Sequence, residues 1–485
     1  MVFSSHIFLF YFLPAALLLY YGLPNRWRNL VLTLVSYVFY GWANPLFMGL
    51  LLLSTVVDYA SGLLVAAPQS FSPGGMLDPL PKGVPRSRLQ KTALVISLSS
   101  NLLLLGFFKY FNFTIDSFNA IAAAFGVGGA GFDAVLRVTL PLGISFYTFQ
   151  SMSYIIDVYR GDARAIRNFV DYACFVSMFP QLVAGPIIRF SEVAEQLRQR
   201  VPTMEKFARG VAFFALGFAK KIILANPCGK IADTVFGGGP GGCLESWYGV
   251  VAYAFQIYFD FSAYSDMAIG LGLMLGFVFP KNFDAPYRAC SITEFWRRWH
   301  ISLSSWLKDY LYVPLGGNRM GPWRTYRNIL LVMLIGGLWH GAAWKFVVWG
   351  GLHGALLAIE RLRGKASFYG RLPRPVQMGL TFVIVLFTWV FFRAADLSSA
   401  IAYCGRMLGL GTTQESAVLL RGVLFEPYYV VTFAVCAVVV WGMPQTWDWT
   451  RRLTPAKVTT AFALLLVSVL LLNMQAYNPF IYFIF

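Results

Sequence analysis

Apolar segments long enough to cross a bilayer recur along the whole chain of 485 residues. The hydrocarbon core is about 30 Å thick, so a crossing helix needs roughly 20 mostly apolar residues. In lipid only helices and closed barrels satisfy all their backbone hydrogen bonds. We therefore predict an all-α, polytopic transmembrane bundle of about 11 to 13 spans, with re-entrant or interfacial helices between them. The candidate spans lie at about 6–22, 29–43, 46–66, 92–108, 112–126, 137–157, 168–188, 208–225, 246–275, 327–341, 343–360, 376–393, 419–441 and 458–475.

Composition agrees with a membrane protein and leaves no room for a separate soluble domain. The chain is 58% hydrophobic and 13% charged, whereas a soluble protein carries roughly 25% charged residues. No long polar segment interrupts the apolar ones, so we predict a single domain over residues 1–485. Its parts are N-terminal spans (1–190), an interfacial helix broken at Pro202 (191–209), a core with two notable histidines (210–395) and C-terminal spans (396–485).

The chain is strongly basic, with 39 Lys and Arg against 22 Asp and Glu, or 39 − 22 = +17. In a soluble protein this charge would suggest nucleic-acid binding. Here the basic residues collect in loops between spans, where they set topology and contact lipid phosphates, so the expected partner is membrane lipid and not nucleic acid. Such residues follow the first and third spans, at Arg26, Arg28, Lys82, Arg86, Arg88 and Lys91. The link 43–45 between spans two and three is uncharged, which predicts a periplasmic N-terminus and cytoplasmic basic loops.

Residues 281–327 interleave basic and aromatic side chains and are neither a span nor an ordinary loop. This pattern suits a membrane interface, and it also suits the mouth of a pocket for a phosphate-bearing, partly apolar donor. Arg298 and Lys308 are the candidate phosphate contacts. An aromatic belt around a topogenic loop is the alternative interpretation.

Within this segment, residues 291–307 predict one amphipathic helix. Ser291 and Glu294 resemble the two ends of a capping box. At about 100° per residue, Trp296, Trp299 and Leu303 fall on the same helix face as His300. We therefore expect His300 to be held among indole rings, as a functional imidazole or as a satisfied structural one.

His340 is the second notable histidine, and the chain contains only four. Residues 330–343 are otherwise apolar, and burial keeps an imidazole neutral, the form that a general base needs. The glycines at 336, 337 and 341 would let a helix or a substrate approach it closely. The alternative is a buried histidine bonded to a carbonyl. His353 lies roughly 220° away from His340 on a continuous helix, so we interpret it as structural.

Several other classes of site are not indicated. The chain has no Gly-x-Ser-x-Gly elbow and no His-Glu-x-x-His pair, and its six cysteines lack metal-binding spacing, so we predict no metal site. The glycine-rich run 237–242 is not followed by Gly-Lys-Ser/Thr and predicts a flexible loop. The polar stretch 259–266 is suited to lining a cavity, and we interpret its Asp260 as a pocket-wall or packing residue.

Long runs of the chain resemble the membrane-bound O-acyltransferase family, in particular the bacterial branch that includes alginate O-acetylation proteins. The resemblance covers most of the chain up to about residue 395 and departs at Ala263, where the branch usually has glycine. The runs that carry it are SITEFWRRWHISLS (291–304), GGLWHG (336–341), YFDFSAYSDMAIG (258–270), GISFY (143–147) and LVAGPI (182–187).

The resemblance implies an acyltransferase built around a membrane-embedded tunnel in the bacterial inner membrane. His340 matches the family's histidine and would be the general base. His300 matches the family's second polar position and would be the second catalytic residue, which orients the acyl donor or stabilises charge on the thioester oxygen. The substrate-binding residues would be Trp299, Arg297, Arg298, Lys308, Trp339 and Asp260.

The same resemblance implies a donor and an acceptor. The donor would be cytoplasmic acetyl-CoA, with no bound cofactor. The acetyl group would cross the membrane to a periplasmic or membrane-anchored acetyltransferase partner that esterifies an exported polysaccharide, alginate being our first choice. Cellulose or another polymer is the alternative acceptor, and a transporter subunit without catalysis is the alternative function.

Overall fold

The computed structural model describes residues 1–42, 44–67, 78–126, 137–238, 241–364, 367–411 and 420–481. Helices dominate this part of the chain, which contains no β-strand, and the all-α prediction is confirmed. Four sequence predictions fall partly outside the described residues. The parts outside are residue 43 of the uncharged link, residues 68–77 of the loop 68–91 that ends in basic residues, residues 239–240 of the glycine-rich run and residue 419 of span 419–441.

The chain divides into two compact units. The N-terminal unit comprises residues 1–207 and 272–279, and the C-terminal unit comprises 208–271 and 280–485. The single-domain prediction stays a prediction. The helices that begin in the N-terminal stretch are α1 (Leu13–Gly22), α2 (Arg28–Gly41), α3 (Leu46–Ala66), α4 (Arg88–Leu105), α5 (Phe111–Ala124), α6 (Ile144–Arg160), α7 (Phe169–Ser177), α8 (Phe179–Leu182) and α9 (Phe190–Arg198).

The remaining helices lie wholly or mainly in the C-terminal unit. They are α10 (Met204–Ala219), α11 (Asn226–Gly237), α12 (Cys243–Met274), α13 (Ile292–Arg298), α14 (Ile301–Leu307), α15 (Pro322–His340), α16 (Trp344–Leu362), α17 (Arg374–Arg393), α18 (Leu397–Met407), α19 (Arg421–Leu424), α20 (Pro427–Gly442), α21 (Thr446–Trp449) and α22 (Pro455–Met474). Short 3₁₀ turns lie at Asn25–Trp27 and Pro286–Arg288, and π-helical turns lie at Ile7–Phe12, Gly106–Tyr110, Lys220–Ala225 and Lys308–Tyr312.

Four helices of the described chain are long and apolar enough to cross a membrane by length and composition. They are Leu46–Ala66, Arg88–Ala124, Arg374–Arg393 and Pro455–Met474. The protein is therefore membrane-integral, while the count of 11 to 13 crossings stays a prediction. Other helices, such as α6 and α12, carry buried polar side chains that make them less apolar, among them Gln150, Ser153, Gln256 and Asp260.

Three predicted spans are wrong in their boundaries. Spans 92–108 and 112–126 form one continuous helix, because the Gly106–Tyr110 segment winds as a π-helical turn and does not break the chain. The Lys109 ammonium group within this turn contacts the Ser145 hydroxyl at 3.3 Å. Span 168–188 is divided between α7 and α8, and the nine residues of α7 extend only about 14 Å.

The predicted interfacial helix at 191–209 is also shorter than expected. Helix α9 ends at Arg198, four residues before Pro202, and α10 begins at Met204. Phe190, Val193 and Leu197 on one face of α9 are buried. This apolar face is packed inside the N-terminal unit, and a location at the membrane surface stays a prediction.

Candidate active site

The helix predicted over 291–307 is interrupted at its centre, so this prediction is wrong. Helix α13 ends at Arg298, Trp299 is extended, and His300 adopts the left-handed conformation with φ 45° and ψ 56° before α14 begins. This conformation costs a non-glycine residue roughly 1–2 kcal/mol. Helical periodicity therefore cannot place His300 on one face with Trp296, Trp299 and Leu303.

A short backbone pairing holds the interruption in place. The Asp284 amide donates to the Arg298 carbonyl and the Ile301 amide donates to the Asn282 carbonyl, both at 2.9 Å. The Asn282 Oδ1 atom also accepts hydrogen bonds from the Ser302 amide at 3.2 Å and the Ser302 hydroxyl at 2.9 Å. These bonds compensate the strain at His300, because they satisfy donors that a continuous helix would have used internally.

The N-terminus of α13 is capped from two directions. Ser291 Oγ accepts from the Glu294 amide at 3.0 Å, as predicted, but the Glu294 carboxylate accepts from Cys290 and not from Ser291. The carboxylate of Glu360 on α16 accepts from the amides of Ile292 and Thr293 at 2.7 and 2.8 Å. Burial acts to raise the pKa of Glu294, but the Cys290 amide and Arg298 outweigh it and hold that pKa below its ordinary value. Glu360 thus ties α13 to α16.

The imidazole of His300 is completely buried and keeps one nitrogen open. Its relative exposure is 0%, and its ring packs edge-on against Phe261 at 4.6 Å between centroids. Its Nδ1 atom lies 3.5 Å from Ser302 Oγ, while Nε2 has no hydrogen-bond partner among the described residues. Because Ser302 gives its only hydroxyl hydrogen to Asn282, its oxygen favours a proton on Nδ1 of His300 and a free lone pair on Nε2.

His340 is the last residue of α15 and lies beside His300. The two imidazole centroids are 6.4 Å apart, a separation that one bound group can bridge. Trp349 and Phe392 each approach the His340 ring at 5.3 Å, and Trp339 at 5.0 Å. His340 is partly exposed, unlike His300. The structure therefore brings the two predicted histidines together inside an aromatic cage.

Two glycines allow the helices that form this cage to approach closely. A Cβ atom on Gly337 would lie 2.2 Å from the Phe346 carbonyl oxygen, and one on Gly350 would lie 2.3 Å from the Met333 carbonyl oxygen. Neither position has room for a methyl group. The contact between α15 and α16 sets Trp349 against His340, so the predicted role of Gly337 in close approach is confirmed.

His353 lies on α16, which is separated from α15 by a short non-helical segment. The assumption of a continuous helix from His340 to His353 is therefore wrong. Gly341 and Ala343 are extended and separate the two helices. The Nδ1 atom of His353 accepts a hydrogen bond from the Trp296 indole at 3.2 Å. Its exposure is 0%, and its Nε2 atom, like that of His300, has no hydrogen-bond partner among the described residues. The structural interpretation of His353 stays a prediction.

The other predicted substrate-binding residues are spread over different environments. Trp299 and Trp339 are buried, and Trp339 contacts both imidazoles. Arg298 pairs with Glu294 at 2.8 Å and donates to the Asp284 carbonyl at 3.0 Å. Arg297 and Lys308 are exposed.

Asp260 is held in a separate cluster. Its Oδ1 atom pairs with Lys221 at 2.7 Å and its Oδ2 atom accepts from the Ile481 amide at 2.9 Å. Within the described part of the chain, the ionic and hydrogen-bond contacts of this carboxylate are to Lys221 and Ile481 and not to either imidazole. The next residue, Phe261, is the one that touches His300.

Sequence reasoning missed three residues of the site: Asn282, Trp349 and Phe392. Asn282 stands alone in a loop, and its role depends on a backbone pairing that no local pattern indicates. The indole nitrogen of Trp349 is buried without a partner in the described part of the chain. The aromatic richness of 344–349 and 387–392 was a signal, but it is equally typical of a membrane helix. Among the described residues no three His, Cys, Asp or Glu side chains are grouped to hold a metal ion.

Comparison with known proteins connects this geometry to a family. A model of the membrane-bound O-acyltransferase family matches residues 242–395, the region that contains both imidazoles. A Pseudomonas putida protein named probable alginate O-acetylase AlgI is 43% identical over 507 residues, covering 100% of both chains. A Helicobacter pylori peptidoglycan O-acetyltransferase is 36% identical over 445 residues, covering 84% of this chain and 80% of that one.

A more distant relative shares only the central region. A teichoic acid D-alanyltransferase from Streptococcus thermophilus is 31% identical over 238 residues, covering 45% of this chain and 56% of its own. The family resemblance expected from the histidine-containing runs is thus confirmed, and so is the prediction of an enzyme. The chain belongs to the membrane-bound O-acyltransferase family and is an O-acyltransferase.

Proposed function

We propose that this protein takes an acetyl group from cytoplasmic acetyl-CoA and delivers it across the bacterial inner membrane for O-acetylation of an exported polysaccharide, alginate. The observation that carries the proposal is the 43% identity, over the full length of both chains, to a protein named for alginate O-acetylation. The paired imidazoles supply the chemistry that such a reaction needs. Membership of an acyltransferase family argues against the alternative of a transporter subunit without catalysis.

Acyl transfer from a thioester to an alcohol needs a base and a donor for the developing oxyanion. We assign the base to His340, which takes the hydroxyl proton as the alcohol oxygen attacks the carbonyl carbon. The carbon–sulfur bond then breaks, and the leaving CoA thiolate receives the proton from His340. A thioester is already activated, so these steps balance without a metal or a further reactant.

His300 is better suited to accept a hydrogen bond than to donate one. The sequence-based hypothesis that it stabilises charge on the thioester oxygen requires a proton on Nε2, whereas Ser302 favours the proton on Nδ1. We therefore assign His300 to orienting the donor, since the CoA arm has an amide N–H close to the sulfur. We assign the oxyanion contact to the indole N–H of Trp349, which has no partner among the described residues and lies against His340.

The CoA phosphates require cationic contacts at the cytoplasmic side. Lys308 is 70% exposed, and its nearest carboxylate oxygen, on Asp309, lies 3.9 Å away. Arg297 is exposed as well. Arg298 would have to leave Glu294 to reach a phosphate, so we rank it below the other two. Trp299 and Trp339 would line the apolar part of the site.

Partners and orientation complete the proposal. The positions of the basic loops support a periplasmic N-terminus, in line with the positive-inside rule. A periplasmic or membrane-anchored acetyltransferase would accept the acetyl group and select the polymer. The Helicobacter pylori relative makes peptidoglycan a second candidate acceptor, and cellulose remains a further alternative.

The test follows acetyl-CoA consumption by the purified protein in lipid nanodiscs, with and without membranes from an alginate-producing strain. His340→Gln should slow CoA release by about 10²- to 10⁴-fold. The variant should elute from a size-exclusion column like the wild type, which shows that it is folded. The control is His6→Gln, because His6 is an exposed imidazole of the N-terminal unit. CoA release by His340→Gln at the wild-type rate would refute the assigned base.

The acceptor is read from the labelled product. Radiolabel in alginate supports the proposal, whereas label in peptidoglycan or cellulose alone would reassign the polymer. No CoA release by the wild type, even with those membranes present, would refute acetyl-CoA as the donor.

A further inference from the structure

A polar pocket of about 420 Å³ lies in the N-terminal unit, which contains neither imidazole of the candidate active site. Four arginines and one aspartate contribute its charges, so the lining carries 4 − 1 = +3. The charged lining residues are Arg26, Arg28, Arg198, Arg200 and Asp171. From the sequence alone, Arg26 and Arg28 are interpreted only as topogenic charges.

Side-chain contacts hold this pocket in a defined geometry. Arg200 donates to the Tyr20 hydroxyl at 2.8 Å and to Asn29 Oδ1 at 2.6 Å. The Asn29 amide in turn donates to Asp171 at 2.5 Å and to the Leu197 carbonyl at 3.0 Å. Topogenic arginines need no such network, because their charge alone acts during insertion. The pocket is therefore a preorganised feature of the fold.

Two arginines of the pocket have hydrogen-bond donors that are buried without a partner among the described residues. These are Nε of Arg28 and Nη2 of Arg200. Arg28 lies over the rings of Tyr20 and Tyr21 at 5.2 and 5.6 Å, and Arg200 over Phe277 at 4.4 Å. Aromatic rings fix the planes of the guanidinium groups but supply no acceptor. A buried charged donor without an acceptor is costly, so these two guanidinium donors favour an additional acceptor with negative charge.

We propose that this pocket binds a phosphate group, carried by an anionic phospholipid or by a soluble phosphate compound such as CoA. Guanidinium groups match phosphate oxygens in paired geometry. Arg28 and Asn29 are also the first residues of α2, and the positive end of a helix favours an anion. The positive-inside rule places these arginines on the cytoplasmic side, where anionic lipid and CoA are both present. The inference does not rest on the proposed function.

The experiment measures the thermal unfolding of the detergent-purified full chain while phosphatidylglycerol, phosphatidylcholine, CoA or pyrophosphate is added. Wild type should be stabilised by phosphatidylglycerol or by the soluble phosphates, but not by phosphatidylcholine, whose head group carries no net charge. Arg28→Gln should lower the affinity of the protein for the ligand that stabilises it by about tenfold or more, because the substitution removes a charge-assisted contact. Arg198→Gln is a second variant in case Arg28→Gln does not fold.

Arg164→Gln is the matched control, because Arg164 is exposed in the same unit and does not line the pocket. A response to phosphatidylglycerol alone assigns the pocket to lipid, and a response to pyrophosphate or CoA alone assigns it to a soluble phosphate. CoA stabilisation that both pocket variants retain comes from another site and overturns the inference for CoA. No stabilisation by any anion, or equal stabilisation of wild type and both pocket variants, overturns the whole proposal.

Discussion

Two clusters of ionisable side chains in the C-terminal unit differ in how their polar atoms are satisfied. We call the first the ion-pair cluster: Lys220 with Asp266 and Lys221 with Asp260, each pair 2.7 Å apart. We call the second the imidazole cluster: His300 and His340 with centroids 6.4 Å apart. The adjacent lysines lie in the π-helical turn Lys220–Ala225, and both aspartates lie on α12.

In the ion-pair cluster every charge has a partner of opposite sign. Lys220 also donates to Thr446 at 2.7 Å, and Lys221 also donates to the Pro479 carbonyl. In the imidazole cluster, by contrast, the Nε2 atom of His300 is buried with no partner in the described chain. The indole nitrogen of Trp349, which packs against His340, is also buried with no partner there. A buried polar group that is satisfied stabilises the fold, whereas one left open is available to a substrate. We therefore expect the first cluster to control stability and the second to control catalysis.

Lys221→Met should give the largest effect, because it leaves the Asp260 charge buried without its cation. We expect a loss of about 3–5 kcal/mol in the free energy of unfolding, measured by thermal unfolding in detergent. The double variant Lys221→Met with Asp260→Asn should recover most of this loss, since no charge then remains and the amide oxygen still faces the Ile481 amide. Full stability of the single variant, or loss of activity in the folded double variant, would break the comparison.

Trp349→Phe should lower the rate of CoA release by about 10²-fold, the cost of losing one oxyanion donor. Trp389→Phe is the matched control, because the Trp389 indole already donates to Tyr287 at 3.2 Å and its ring stacks on Trp349 at 5.8 Å. The control should lose some stability but little activity. If both variants lose activity equally, the open N–H of Trp349 has no special role.

Gly350→Ala should destabilise the protein by about 1–3 kcal/mol, because its methyl group meets the Met333 carbonyl oxygen. Activity should fall as well, since the same contact places Trp349 beside His340. Gly351→Ala is the control: its Cβ meets only Leu334 Cδ2 at 3.6 Å, and alanine favours the helix by about 1 kcal/mol. The measurement compares the melting temperatures of the two variants in thermal unfolding. Equal melting temperatures would contradict the close approach of α15 and α16.

Asn282→Ala should reduce activity about tenfold, the smallest expected effect, because His300 loses the acceptor that holds Ser302. Asn282→Asp keeps an acceptor at the same position and should restore most of the rate. Single-turnover CoA release with saturating donor separates this positioning role from donor affinity. Wild-type rates in Asn282→Ala would show that the Ser302 contact does not position the imidazole.

The helical class, the two histidines and the close glycines were predictable because each depends on local pattern: apolar length, an ionisable group in an apolar run, and small residues along one helix. The break at Trp299 and His300 was not, because helical periodicity between Ser291 and Leu307 is continuous. Asn282 lies about 20 residues from its partner in sequence, and nothing in the intervening chain indicates that the two segments pair. Asp260 was interpreted as part of a pocket wall or packing network, and its ion pair with Lys221 agrees with the packing alternative.

Sequence by itself determined that this protein is a helical membrane protein whose chemistry depends on a few polar groups, because apolar length and scarce ionisable residues are properties of the chain alone. Tertiary structure decided which of those groups are open and which are paired. The residue type is the same whether a charged group or an imidazole is paired or open. Only the atoms that pack around the group determine whether it stabilises the fold or contacts a substrate.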